Sequence, residues 1–436
     1  MQIDWKSRSM VIVHFRRSKY IGSNLLRAGT VILVLLLSLC AAAQHNTLDY
    51  YLGYAIKNSP LLKDFQNQVA SLSIDSQILR ATLRPQVTGV SNNLYAPVIN
   101  GYGYDEAITN KGQLQALLSV NKAFVGRRSI ATQIAGFTIE AQSATNNIRL
   151  SQQDIKKTIT DQYIVTFGDW LQLQFNKEIN ELLGREDSLL KRLTQANVFK
   201  QADYLAFAVT RQQQLLNTTQ LEIQYNFDYA ALNYLSGIRD TLAAPVLEDP
   251  RLTLNSLPDY TSSAFYRQYV LDSLKLRNDR ALIDINYRPK INAVADAGYN
   301  SSLTVHPGKN MGASVGLNLS VPIYDGRQRR LQYQKIDLQE QTRQAKRDYF
   351  ISQREQQIFQ LLQQLHATEK LISDINQQIR YTETLITVNE KLLGTGDIRV
   401  TDFILSLTNY FNARYLVTQN YIDRLKIINQ LNYWNR

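Results

Sequence analysis

Few residues in this 436-residue chain have the types and spacing that chemistry needs. The histidines are His14, His45, His306 and His366, and no two stand at metal-ligand spacing. Cys40 is the single cysteine, so there is no disulfide framework and no thiolate metal site. No Ser/His/Asp set or phosphate-cradling glycine loop is visible. An enzyme has little to work with here: no catalytic residue, cofactor or metal is expected.

The informative residues come in pairs instead. Leu83-Arg84-Pro85-Gln86-Val87 is echoed by Tyr287-Arg288-Pro289-Lys290-Ile291. Leu118-Ser119-Val120 with Gly126-Arg127 is echoed by Leu319-Ser320-Val321 with Gly326-Arg327. Lys200-Gln201-Ala202-Asp203-Tyr204 is echoed by Arg399-Val400-Thr401-Asp402-Phe403. The echoes keep their order at an offset of about 200 residues, which argues for two copies of one structural unit.

The N-terminus reads as an export leader. Lys6, Arg8, Arg16, Arg17, Lys19 and Arg27 precede an apolar run from Ala28 to Leu39, followed by Ala41-Ala42-Ala43 as a small-residue cleavage site. Residues 1–43 are therefore expected to be removed, with lipidation at Cys40 as the alternative. The formal net charge is +11, of which residues 1–43 carry +5, leaving about +6. So mild an excess on an exported chain gives no reason to expect a nucleic acid partner.

Proline placement outlines the elements. No proline lies between Pro97 and Pro245 or after Pro322, so both gaps can hold very long helices. In the second gap Ile351, Ile358, Leu365, Ile372, Ile379, Ile386 and Leu393 fall at seven-residue spacing, a coiled-coil stripe. In the first, Ile155, Ile159, Tyr163 and Phe167 are followed by Phe175, Leu182 and Leu189. The spacing predicts helices over Gly126–Gln195 and Asp325–Leu393, each roughly 105 Å long. The stripes are narrow with polar shoulders, which suits helices packed side by side around water.

Each long helix follows strand-like sequence. Ala313, Val315, Leu317, Leu319, Val321 and Ile323 alternate with small or polar residues, as do Ile291 to Asn300 and Leu114 to Asn121; Val87 to Tyr95 is the least regular. Runs of about ten residues, apolar on one face and polar on the other, fit transmembrane β-strands. The unit then reads helix, strand, strand, very long helix, turn, helix. Copy one occupies 44–240, a proline-bearing linker 241–261, and copy two 262–436. Four strands cannot close a barrel, and lipid does not tolerate an open edge, so other chains must complete it. Two chains give eight strands, which side chains would fill; three give twelve and leave room for a conduit.

This organisation resembles the TolC-like outer membrane efflux (outer membrane factor) family. The resemblance rests on the duplicated order, the junctions at Pro85 and Pro289, the run Leu319-Ser320-Val321-Pro322-Ile323-Tyr324-Asp325-Gly326, and the turn Gly394-Thr395-Gly396-Asp397-Ile398 with Thr401-Asp402. It implies an α+β membrane protein. Three chains with four β-strands each form a twelve-stranded outer membrane β-barrel, continued by a periplasmic α-helical coiled-coil barrel. It also implies a homotrimer in outer membrane lipid, partnered by a periplasmic adaptor (membrane fusion protein) and an inner membrane pump. The expected function is the passive exit duct of a tripartite efflux or type I secretion system. The competing reading is a periplasmic coiled-coil scaffold or tether with soluble sheets and no channel.

The resemblance assigns the residues as well. Asp203 and Asp402 match the acids that ring the periplasmic entrance, although Leu405 stands where some members carry a second acid. The turns holding Asn197, Val198, Gly396 and Asp397 match the adaptor-docking tips. Pro85, Gly126, Pro289, Pro322 and Gly326 mark the strand–helix junctions. An Asp in the first turn of a helix is also stabilised by the macrodipole with no further role. The copies differ where Asn197 answers Gly396 and where Asn121 or Lys122 answers Pro322.

Overall fold

The computed structural model describes residues 47–239, 244–255, 259–302 and 307–434. The expected leader, Cys40, His14, His45, His306 and Pro258 lie outside the described residues. The elements run α1 (Leu48–Asn58), α2 (Pro60–Thr82), β1 (Gln86–Tyr95), α3 (Glu106–Thr109), β2 (Gly112–Phe124), α4 (Arg127–Gln195) and α5 (Gln201–Ser236). They continue with α6 (Ala264–Asn286), β3 (Lys290–Ser301), β4 (Met311–Ser320), α7 (Gln328–Thr395) and α8 (Val400–Trp434). Short 3-10 turns at Tyr260–Ser262 and Pro307–Lys309 complete the order. Helix α2 matches α6 at 23 residues each, α4 matches α7 at 69 against 68, and α5 matches α8 at 36 against 35.

The opening helix of the chain is broken in two by Ser59-Pro60. Proline cannot continue α1 but is pre-set for the first turn of α2, and Ser59 Oγ accepts the Leu62 N–H at 3.4 Å. Helix α6 starts in the same manner, with Ser263 Oγ accepting the Tyr266 N–H at 3.2 Å.

Helices α4 and α7 each fold back on a shorter partner, α5 and α8, to make two long hairpins, and α8 also packs on α4 and α5. Buried Ile159, Tyr163 and Phe167 lie on the expected stripe. Nearer the turn the stripe shifts. Ile179, Leu183, Glu186 and Leu190 are buried, whereas Phe175, Leu182 and Leu189 are only half-buried. Here α4 lies between α5 and α8, and its buried line falls between those neighbours. Phe175 stands at the flank, edge-on to Tyr410 and Phe411 at 5.9 and 6.4 Å. On α7, Leu365, Ile379, Ile386 and Leu393 are buried as the heptads predict. A second line, Arg354, Leu361, Ile375, Thr382 and Asn389, is buried beside it and completes the a/d pattern.

The linker between the hairpins is strapped to the bundle. Leu247 is buried in the cluster of Tyr51, Tyr163, Phe167, Tyr225 and Leu232. Tyr163 OH donates to Glu248 O at 2.7 Å, Tyr421 OH to Asp249 Oδ2 at 2.8 Å, and Asn432 Nδ2 to Thr253 O at 2.9 Å. Buried tyrosines keep a polar end that must find a partner, and the linker carbonyls supply it.

The strands form one antiparallel sheet in the order β1-β2-β3-β4, with β1 and β4 at open edges. Ten to thirteen residues per strand reach about 33–43 Å, enough for a tilted crossing of a ~25 Å apolar band. Gly298, at φ +152°, lets β3 approach β2 closely; a Cβ there would collide with the Ala116 carbonyl oxygen.

Candidate membrane sheet and hairpin tips

Pairing register sorts the strand side chains onto two faces. One face carries ladders such as Leu118–Ala297–Ala313 and Val120–Ala295–Val315, with Leu317 and Leu319 continuing it along β4. The opposite face carries Gln113, Gln115, Ser119, Asn292, Asp296, Asn300, Ser314 and Asn318. Its polar groups bond across the strands. Asn92 Nδ2 donates to Gln115 Oε1 at 3.1 Å, Gln113 Nε2 to Asn300 Oδ1 at 3.3 Å, and Ser314 Oγ to Asp296 Oδ2 at 3.4 Å. Strand β1 is mixed, with Ser91 and Asn93 on the apolar side. Lys122 is the charge on the apolar face; it lies near the strand end, with Nζ 5.7 Å from the Phe124 ring centre. A long cationic side chain can reach the interface from such a place. A sheet exposed on both faces, apolar on one and hydrogen-bonded on the other, is suited to separate lipid from water.

The junctions set the sheet on the helices. Pro85 and Pro289 each stand third after the end of their helix, α2 or α6, and immediately before a strand. Strand β4 was expected to reach Ile323 but stops at Ser320. Ser320 pairs with Lys290, so the next rung would need N–H groups that Pro289 and Pro322 lack near it. Strand β2 has no proline there and continues to Phe124. The two glycines also differ. Gly126 caps α4 in an extended conformation, whereas Gly326 (φ +62°) and Arg327 (φ +71°) are both left-handed. Asp325 holds that turn by accepting the N–H groups of Arg327 at 2.9 Å and Arg329 at 2.8 Å. Arg329 follows this junction at the solvated start of α7. It pairs with Asp284 of α6 and lies over the rings of Tyr287 and Tyr333 at 5.7 and 5.6 Å.

The hairpin turns share one hydrogen-bond pattern. Asn197 (φ +61°) and Gly396 (φ +79°) take the left-handed position. Val198 N–H donates to Leu193 O and Asp397 N–H to Leu392 O, both at 2.9 Å. These are Schellman ends, which need a residue tolerant of positive φ. The turns meet: a Cβ on Gly396 would stand 2.6 Å from Val198 Cγ1. Beneath them one apolar cluster joins both hairpins through Ile179, Leu183, Leu190, Phe207, Ile386, Leu393, Phe403 and Leu407.

Asp203 and Asp402 are each the third residue of their helix, α5 or α8, half-buried near the turns. Their surroundings differ. Arg399 grips Asp402 with two hydrogen bonds, Nε to Oδ2 at 2.9 Å and Nη2 to Oδ1 at 3.1 Å. Asp203 has Lys200 at the matching position and no ion pair among the described residues.

Two acid pairs escaped the sequence reading because their members lie far apart in the chain. Asp169 on α4 faces Asp228 on α5, which accepts from Gln162 Nε2 at 3.1 Å and from Gln224 Nε2. Burial, then Asp228, pushes the Asp169 carboxyl up to about 7, with Lys426 opposing. Glu186 on α4 faces Glu390 on α7; burial, then Glu390, pushes it up to about 7 as well.

Solved structures share this architecture. The Vibrio cholerae outer membrane protein VceC matches with TM-score 0.70 at 12% identity, over 89% of this chain and 96% of that one. CusC, whose structures are described as following folding and transmembrane channel formation, matches with TM-score 0.73 at 11% identity, over 89% and 92%. The open state of the Neisseria gonorrhoeae MtrE outer membrane channel matches with TM-score 0.71 at 10% identity, over 89% and 88%. No family model and no curated protein matches the chain. The chain has the fold of TolC-like outer membrane channels, as the resemblance in its sequence implied.

Proposed function

We propose that the chain is one third of an outer membrane exit duct, passive and without catalysis of its own. The observation that carries this reading is the four-stranded sheet, with one face mainly apolar across β2, β3 and β4, one hydrogen-bonded polar face and two open edges. In lipid those edges require further strands, and three chains supply a closed twelve-stranded wall with a wet lumen. The likeness in fold to outer membrane channels supports the same reading.

The helices support self-association. Leu205, Val209, Gln212 and Leu216 form an exposed a/d line on α5, eight to nineteen residues past Asn197. Val388, Leu385, Tyr381 and Gln378 form another on α7, eight to eighteen residues before Gly396. Within one chain α5 packs on α4 and α8, and α7 on α8 and α6, so both lines stay open. Their matching distance from the turns suits α5 of one chain against α7 of the next. The two similar halves of each chain then give a tube of six similar units.

In this reading 1–43 is the export leader, 44–240 and 262–436 are the repeats, and 241–261 ties them. Asn197, Val198, Gly396 and Asp397 meet a periplasmic adaptor that leads to an inner membrane pump, for efflux or type I secretion. Asp203 and Asp402 line the entrance. The test is extraction from membranes followed by imaging and planar-bilayer recording. Detergent-dependent trimers, a three-fold tube well over ~100 Å long and single-channel currents are expected. A compact monomer that leaves the membrane without detergent and carries no current overturns the reading in favour of the scaffold.

A further inference from the structure

Glu186 is 4% exposed, on the stretch of α4 between Leu183 and Leu190, two members of the apolar cluster that joins the hairpins. Its Oε2 is buried with no hydrogen-bond partner. The group it faces across the gap is another acid, the half-buried Glu390 of α7. Two ionised carboxylates there would leave like charges opposed, one of them buried. Among the described residues, the other charged group acting on Glu186 is Arg185, on its own helix. Of the other charges near the turns, Asp187 pairs with Arg211 of α5 at 2.7 Å and Asp402 with Arg399 at the start of α8, while Lys191 and Arg192 on α4 and Lys391 on α7 follow the two acids along their own helices.

We propose that Glu186 and Glu390 form a proton-operated latch between the two hairpins, holding one shared proton while the hairpin ends are together and releasing it as they part. The proton turns a repulsive pair into a donor and an acceptor. The joined state also buries the cluster of Leu183, Leu190, Leu393 and Phe403, so the latch modulates an apolar contact and does not replace it.

The sign follows from linkage. When the hairpins part, water reaches Glu186 and its affinity for the proton returns toward the ordinary 4.5; joined, it holds the proton up to about 7. The joined state binds more protons between those values, so parting is favoured as pH rises through that window. A single proton changes the parted-to-joined ratio by at most about tenfold per pH unit, and not outside the window. The consequence for flow rests on the reading of these turns as the entrance of a duct. The proton linkage does not, because hairpin separation is measured on the chain itself.

The experiment places spin labels on cysteines at the exposed positions Ala202 and Thr401, one on each hairpin, in full-length protein diluted with unlabelled chain. The label–label distance is recorded from pH 4 to 9. The expected result is a rising long-distance fraction between pH 4.5 and 7 in the otherwise unaltered chain, and no pH response in Glu186→Gln. Should that variant lose helix content, Glu390→Gln serves instead and moves the response to lower pH. A response that survives unchanged in the folded variant overturns the latch, as does a constant distance in the parent. Currents measured in parallel report on the duct separately: a latch without currents spares the latch and sinks the duct.

Discussion

Gly396 and Val198, the corresponding corners of the two hairpin turns, touch: a Cβ on Gly396 would stand 2.6 Å from Val198 Cγ1. The same glycine is left-handed, at φ +79°. Gly396→Ala therefore meets two penalties, about 1–2 kcal/mol for the conformation and a clash that pushes the turns apart. Chemical denaturation should show the loss, and adding Val198→Ala should recover the steric part alone. Asn197→Gly should be near neutral, because glycine suits the left-handed corner that asparagine already tolerates. Equal losses at Asn197 and Gly396 would mean that the turns do not touch.

Much of this fold was legible because its signals are periodic. Alternation along Ala313–Leu319 and Ile291–Asn300 marked the strands, and heptads from Ile351 to Leu393 marked α7. Three features were hidden for physical reasons. The second seam of α7, with Arg354, Thr382 and Asn389, is half polar, so its period is invisible until α8 is seen covering it. The buried line of α4 moves to Leu183 and Leu190 because two helices share that face. The Arg399–Asp402 clamp lies inside the echo Arg399-Val400-Thr401-Asp402-Phe403, where the repeat drew the eye, and its i, i+3 spacing was the available signal.

Asp169 supplies a stability slope opposite to that of a salt-bridged acid. In the fold its carboxyl holds a proton up to about 7, against an ordinary 3.8 once exposed. The folded chain thus binds more protons between those values, and its stability falls as pH rises through that interval. Thermal unfolding in detergent at successive pH values should show Tm dropping between about pH 4 and 7. Asp169→Asn keeps the hydrogen-bonding size and should flatten that drop. An unchanged slope in the variant would show that Asp169 is not the group responsible.

The two faces of β4 should respond differently to charge. Val315 is 85% exposed at the centre of the apolar face, and its neighbour Ser314 points to the polar face beside Asp296. Val315→Arg places a cation in lipid at a cost of about 2–4 kcal/mol, and the yield of oligomer in outer membrane fractions should collapse. Ser314→Arg faces water and should assemble. Equal yields of the two variants would argue that neither face meets lipid, and would favour the scaffold.

Asp203 and Asp402 occupy matching places but carry different local charge. Arg399 holds Asp402 through two hydrogen bonds, and among the described residues no such partner stands on Asp203. Exposed pairs add little to stability, but they cancel most of each other's field at the distance of a passing ion. In a duct the unpaired ring of Asp203 should therefore set most of the cation preference. Reversal potentials across a salt gradient should shift toward anions in Asp203→Asn and barely move in Asp402→Asn. Arg399→Gln should do the reverse, freeing three carboxylates and raising cation preference without touching either acid. If Asp402→Asn shifts the potential as far as Asp203→Asn, the arginine does not hold its carboxylate in the assembled protein, and the two rings count equally.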